Sequence, residues 1–149
     1  MRDIDDVNNY LNELIEDLNS LEDRHSLLET LIEFGQELKQ FDNDKIIIEN
    51  KVPGCISQVY ICVNLIDGKF YFKGYSGSQI VKGYIYILIN ALNGLNYGNL
   101  INNTRDLIEN FVQKSQINSN FTASRSDAFA NIYAFMIKKA ISLKDKVKN

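Results

Sequence analysis

The chain has 149 residues, 45% of them hydrophobic and 23% charged, with a net charge of −3. That length supports a buried core of its own, so the expected organisation is one domain over 1–149. There is no run of about 18 apolar residues to span a bilayer. Acidic residues begin at Asp3, which argues against a secretory leader, and two cysteines without such a leader point to free thiols in a reducing cytoplasm.

Ile4, Val7, Leu11, Leu14, Leu18 and Leu21 recur at spacings of three and four, the stripe of an acidic amphipathic helix. This helix, within residues 1–22, is expected to pack on its own domain. A second helix over about 24–40 carries Leu27, Leu28, Leu31, Ile32, Phe34 and Leu38, followed by a polar linker from Phe41 to Lys45. Ile46 to Glu49 offers a further strand. Residues 56–66 alternate Val59, Ile61, Val63 and Leu65 against Gln58, Tyr60, Cys62 and Asn64, the period of a half-buried strand. Asp67-Gly68 is a hairpin signal, and Lys69 to Lys73 reads as the partner strand.

From Ile80 to Leu92 the segment is apolar nearly all round, which predicts a central buried helix stopped at Gly94. A weaker helix covers about 104–115. The last begins at Ser124-Arg125-Ser126-Asp127, a capping-box pattern, and buries Phe129, Ile132, Tyr133, Met136, Ile137 and Ala140. Strands in the middle and helices at both ends make this an α+β fold, a small antiparallel sheet packed by helices.

Charge is divided unevenly. Residues 1–44 hold 13 acidic and three basic side chains, a net −10, and residues 45–149 hold 13 basic and six acidic, a net +7. The lysines are scattered, and no aromatic–basic motif accompanies them, so nucleic acid is not an expected partner. Lys138, Lys139, Lys144, Lys146 and Lys148 read as the solvated, dipole-compatible end of the last helix.

Val52-Pro53-Gly54-Cys55 holds the only proline and one of the two cysteines. Pro-Gly specifies a tight turn, which delivers a thiol to a loop tip before the chain extends. The competing reading is a small hydrophobe that follows a turn. His25, the single histidine, continues the apolar stripe and reads as a partly buried structural residue. Two cysteines and one histidine cannot close a zinc site unaided. No P-loop, dinucleotide fingerprint or Gly-x-Ser-x-Gly elbow is present. Cys62 shares a strand face with Tyr60 and reads as structural; extended spacing separates it too far from Cys55 for a disulfide. What remains is chemistry that needs one thiol. Sulfur transfer is such chemistry, with Lys51 or Arg125 available to favour the thiolate.

Five segments also carry a family resemblance: Leu31-Ile32-Glu33-Phe34-Gly35-Gln36-Glu37-Leu38, Gly54-Cys55-Ile56-Ser57-Gln58-Val59-Tyr60, Gly74, Ile80-Val81-Lys82-Gly83, and Thr122-Ala123-Ser124-Arg125-Ser126. Together they resemble the SufE family, sulfur-acceptor proteins that accompany cysteine desulfurases in iron–sulfur cluster assembly. The resemblance implies a fold shared with IscU-type scaffolds and Cys55 as the persulfide-carrying residue. It implies supporting places for Gly54, Gln58, Lys82 and Arg125, the last close to the cysteine loop. It implies no cofactor of the chain's own, pyridoxal phosphate being carried by a SufS-like partner desulfurase, with an iron–sulfur scaffold complex as the acceptor. The chain departs from the family's pattern at Ile56 and Tyr60, at Tyr75-Ser76-Gly77, and at Asn120 and Ala123. Three readings stand at this point: a sulfur acceptor and activator, an iron–sulfur scaffold of similar fold, and an interaction module without thiol chemistry.

Overall fold

The computed structural model describes residues 2–117 and 123–148, the side chains at 123–127 and 148 lying outside the description. Helix α1 (Ile4–Asn19) starts where Asp3 and Asp6 cap each other: each backbone N–H donates to the other's carboxylate at 3.0 Å. It buries Val7, Leu11, Leu14 and Leu18, four of the six stripe residues. Helix α2 (Arg24–Gln36) starts at Asp23, whose carboxylate accepts from the Ser26 N–H at 2.7 Å. His25 does not continue the buried stripe. It lies in the first turn of α2, its side chain 81% exposed, beside Glu29 at 2.7 Å.

The strand expected at Ile46 to Glu49 is absent. The segment forms two 3-10 turns, Asn43–Lys45 and Ile48–Asn50, and leaves Ile46, Ile47 and Ile48 exposed. The physical reason is Asn50, which is buried and donates from Nδ2 to the Lys45 carbonyl at 2.9 Å, closing the segment on itself. Only Lys51, beyond it, makes a single bridge to Tyr60.

Strands β1 (Val59–Ile66) and β2 (Lys69–Ser76) pair antiparallel through Asp67 and Gly68, whose φ of 52° and 78° suit the type I′ hairpin that Asp-Gly favours. β1 starts at Val59 rather than at residue 56, because 56–58 belong to the loop that carries Cys55. A two-residue strand β3 (Leu95–Asn96), not foreseen, pairs with Lys69 and Phe70 and completes the order β1-β2-β3.

Helix α3 (Gln79–Leu92) is the apolar helix expected, with Tyr84, Ile85, Ile87, Leu88, Ala91 and Leu92 all fully buried. Burying each large apolar side chain there is worth about 1.5–3 kcal/mol. Gly94 follows it with φ +89°. The α2–α3 crossing is close because glycine stands on both helices. A Cβ at Gly83 would lie 2.9 Å from the Leu31 carbonyl carbon, and one at Gly35 would press on Lys82 Cβ. Helix α4 (Tyr97–Asn103), also unforeseen, leads through Thr104 into α5 (Arg105–Lys114), the weaker helix expected there. Helix α6 (Ala123–Lys148) buries Phe129, Ile132, Met136 and Ala140 against β1, α3 and α4. The capping box expected at its start lies outside the described side chains. The whole is α+β, a three-stranded antiparallel sheet packed by helices. Among the described residues no helix is long and apolar enough to cross a membrane.

Candidate functional site

The Val52 N–H donates to the Val59 carbonyl at 2.8 Å, and Lys51 bridges Tyr60 just outside it. Those two contacts pinch the chain, so residues 53–58 leave the fold as a closed loop whose ends are held by the sheet. Pro53 and Gly54 form its turn, and Gly54 adopts φ +80°, a region that side chains other than glycine's rarely tolerate. The Gly54 carbonyl accepts from Asn131 Nδ2 of α6 at 3.2 Å. A Cβ on Gly54 would sit 3.0 Å from that same amide. Glycine at 54 is thus required twice, by the backbone angle and by the helix that holds the loop down.

Cys55 follows this fixed point. It is a free thiol, half-buried, its side chain lying against the rim of the core. Ile56, the next residue, is 84% exposed, an apolar side chain in water. Burial pushes the Cys55 thiol up from its ordinary range. No cation of the described residues opposes that shift, so the help expected from Lys51 does not reach the sulfur in this conformation. Burial thus favours the protonated form of this partly sheltered thiol.

Gln58, another residue of interest, is exposed on the same loop. Lys82 lies elsewhere, in the first turn of α3, with its ammonium 5.5 Å from the centre of the Tyr75 ring. Tyr75 in turn stacks on Phe41 at 6.2 Å and pairs across the sheet with Tyr60. Lys82 is therefore linked to the root of the loop through Tyr75 and Tyr60, two of the positions that depart from the family's pattern. The Arg125 side chain lies outside the described residues, as do Asn120 and the side chain of Ala123. Sequence reasoning missed Asn131. One polar residue among several in an amphipathic helix carries no signal that it will reach back 77 positions to a loop.

Cys62 is the second free thiol, half-buried on β1. Burial pushes it up as well, but Lys45, Lys73 and Lys139 pull in the opposite direction. Among the described residues no group of three or more His, Cys, Asp or Glu side chains converges as a metal site would require.

The SufE family model, described as an Fe–S metabolism associated domain, matches residues 12–140. The chain is 39% identical over 114 residues to the uncharacterized SufE-like protein slr1419 of Synechocystis sp., covering 76% of this chain and 69% of that one. It is 25% identical over 147 residues to SufE-like protein 1, chloroplastic/mitochondrial, of Arabidopsis thaliana, where it spans 38% of the longer relative. The solution structure of a hypothetical protein from Thermus thermophilus superposes with a TM-score of 0.70 over 89% of this chain and 94% of that one, at 14% identity, so the fold is shared. Those matches, together with a thiol on a glycine-turned loop at the edge of a small helix-packed sheet, place the chain in the SufE family, with a role in Fe–S metabolism.

Proposed function

We propose that the chain accepts sulfur on Cys55 from the persulfide of a cysteine desulfurase and passes it on for iron–sulfur cluster assembly. The observation that carries this reading is the pinched loop, which holds one thiol at a fixed point of the fold with exposed Ile56 beside it. The Cys55 thiolate attacks the outer sulfur of the partner's persulfide. A new S–S bond forms at Cys55, the partner's S–S bond breaks, and the electron pair leaves on the partner's cysteine as thiolate. The proton released from Cys55 balances that charge, and no oxidant or reductant is consumed.

Half-burial fits the role. A thiol kept protonated is slow to react with oxidants in solution. Docking through the apolar Ile56 side chain would draw the loop out and let the thiolate form only where the donor persulfide is waiting. Pyridoxal phosphate belongs to the partner in this scheme, and the chain itself needs no cofactor. A scaffold role is less well supported, because cluster ligation takes several thiolates and the chain's two cysteines stand apart on β1 and on the loop that precedes it.

Incubation with a cysteine desulfurase and cysteine should add about 32 mass units, one sulfur atom. The adduct should map to Cys55 and disappear in Cys55→Ser while Cys62 stays unmodified. A Cys55→Ser chain that still takes up sulfur, or that fully supports cluster assembly, refutes the proposal.

A further inference from the structure

On the opposite half of α6 from Asn131, a cleft of about 530 Å³ opens between the 3-10 turns, the edge of β1 and the last turns of the helix. Its walls carry Lys45, Lys138, Lys139 and Lys146 against a single carboxylate, Glu49. None of these lysines belongs to either ion pair of the described residues, which are His25–Glu29 and Arg105–Glu109. Four cations in a concave wall focus a positive potential that surface lysines spread over water would lose to screening.

One of the four is built in. Lys139 Nζ donates to Asn50 Oδ1 and, at 3.2 Å, to the Glu49 carbonyl, and it lies 5.7 Å from the centre of the Phe135 ring. Asn50 is itself 5% exposed, held by its own bond to the Lys45 carbonyl. Two of the three ammonium protons are thereby committed, and the third remains for a ligand. Burial, with Lys146 and Lys45 nearby, pulls Lys139 toward neutrality, while Cys62 and Glu49 resist. An anion in the cleft would relieve that repulsion. Beside Asn50, Cys62 and Ser142, the lining includes the apolar Ile47, Val63, Phe135 and Leu143, so the cleft offers an apolar patch under a cationic rim.

We infer that this cleft binds a small phosphorylated molecule, a phosphate monoester with a short apolar or aromatic body. The lysines would hold the dianionic head and Phe135 and its neighbours the body. A monoanion without such a body would gain less from either half of the site. Cys62, which lines the same cleft, makes a built-in reporter, and the inference is independent of any sulfur chemistry at Cys55.

In Cys55→Ser protein, Cys62 is the only thiol, and its alkylation by anionic iodoacetate can be compared with that by neutral iodoacetamide. A focused positive potential should raise the iodoacetate preference roughly tenfold over that of a free thiol. Millimolar phenyl phosphate should protect Cys62 from both reagents, and inorganic phosphate should do so more weakly. The Lys138→Gln/Lys146→Gln double variant, whose side chains are exposed and outside the core, should lose both the preference and the protection. Lys139→Gln should do the same. A reagent preference equal to that of a free thiol, no protection by phenyl phosphate, or unchanged protection in the double variant overturns the inference. Equal protection by inorganic phosphate overturns the ligand class.

Discussion

Gly83→Ala tests whether the Ile80-Val81-Lys82-Gly83 segment serves packing or the sulfur site. On an isolated helix this change would stabilise by about 1 kcal/mol through propensity alone. Here the new methyl would meet the Leu31 carbonyl carbon at 2.9 Å and Leu31 Cβ at 3.0 Å, where ordinary contact begins at 3.4 Å. Backbone cannot swing away, so α2 and α3 must part by about 0.5 Å or more, a gap that forfeits a quarter to a half of the dispersion attraction across it. Overpacking of this kind costs about 1–3 kcal/mol, and contact with main chain puts it at the upper end. After the propensity gain the net loss is about 2 kcal/mol, or roughly 4–8 °C in Tm for a chain of this size. Urea denaturation would measure it, with Gly77→Ala as the control. Gly77 has nothing within 4 Å of its virtual Cβ, and its substitution should be neutral or stabilise by up to about 1 kcal/mol. A Gly83→Ala protein as stable as wild type, with an unchanged m-value, would refute the packing argument. Loss of sulfur uptake in such a stable protein would place the glycine at the site instead.

Two further outcomes follow from single contacts. Asn131→Ala removes the side-chain tie on the Gly54 carbonyl; it should cost about 0.5–1.5 kcal/mol and speed alkylation of Cys55 at fixed pH. Labelling no faster than wild type would mean that the loop is held by other means. Tyr10 is pushed up to about 12 by burial, against which a hydrogen bond with Asn90 works only in part. Its protonated form is the one the fold favours, so its contribution is whole below pH 10 and declines as pH rises from about 10 toward 12. Tyr10→Phe should flatten that alkaline loss in stability measurements, and an unchanged slope would exclude Tyr10 as its source.

Periodicity made the helices legible, because burial of one face leaves a repeat in the sequence. Val7, Leu11, Leu14 and Leu18 in α1 and the apolar run of α3 are read directly this way. The Asp67-Gly68 hairpin was legible for a different reason, since only certain residues accept two successive positive φ angles. β3 left no trace, because two residues carry no period and its strand character comes from the pairing of Leu95 with Phe70 and Asn96 with Lys69. Ile46-Ile47-Ile48 misleads for the converse reason. β propensity without a partner edge does not make a strand, and a side-chain bond from Asn50 is enough to curl the segment instead. At the site, Pro53-Gly54 announced the turn that carries the Cys55 thiol, whereas the burial that raises the thiol and the grip of Asn131 are tertiary facts with no local signature.

The separation of the two thiols bears on what the proposed persulfide can do next. From Val59, where the loop closes, to Cys62 the strand runs three residues, roughly 10 Å at 3.3 Å each. Cys55 lies beyond that closure, on the side tied to Asn131, while Cys62 lies among Phe135, Lys139 and Leu143, about one to three turns further along α6 at 1.5 Å per residue. A disulfide needs Cα atoms within about 7 Å. In this conformation the loop closure therefore stands between Cys62 and a persulfide on Cys55, and works against attack that would expel the outer sulfur as sulfide. A second thiol within reach would make Cys55 a poor carrier, discharging its cargo inside the molecule before an acceptor arrived. Holding the two cysteines on either side of the loop closure works against that route and favours an external nucleophile as the means of unloading. The presence of Cys62 is thus compatible with sulfur carriage because of where the sheet puts it.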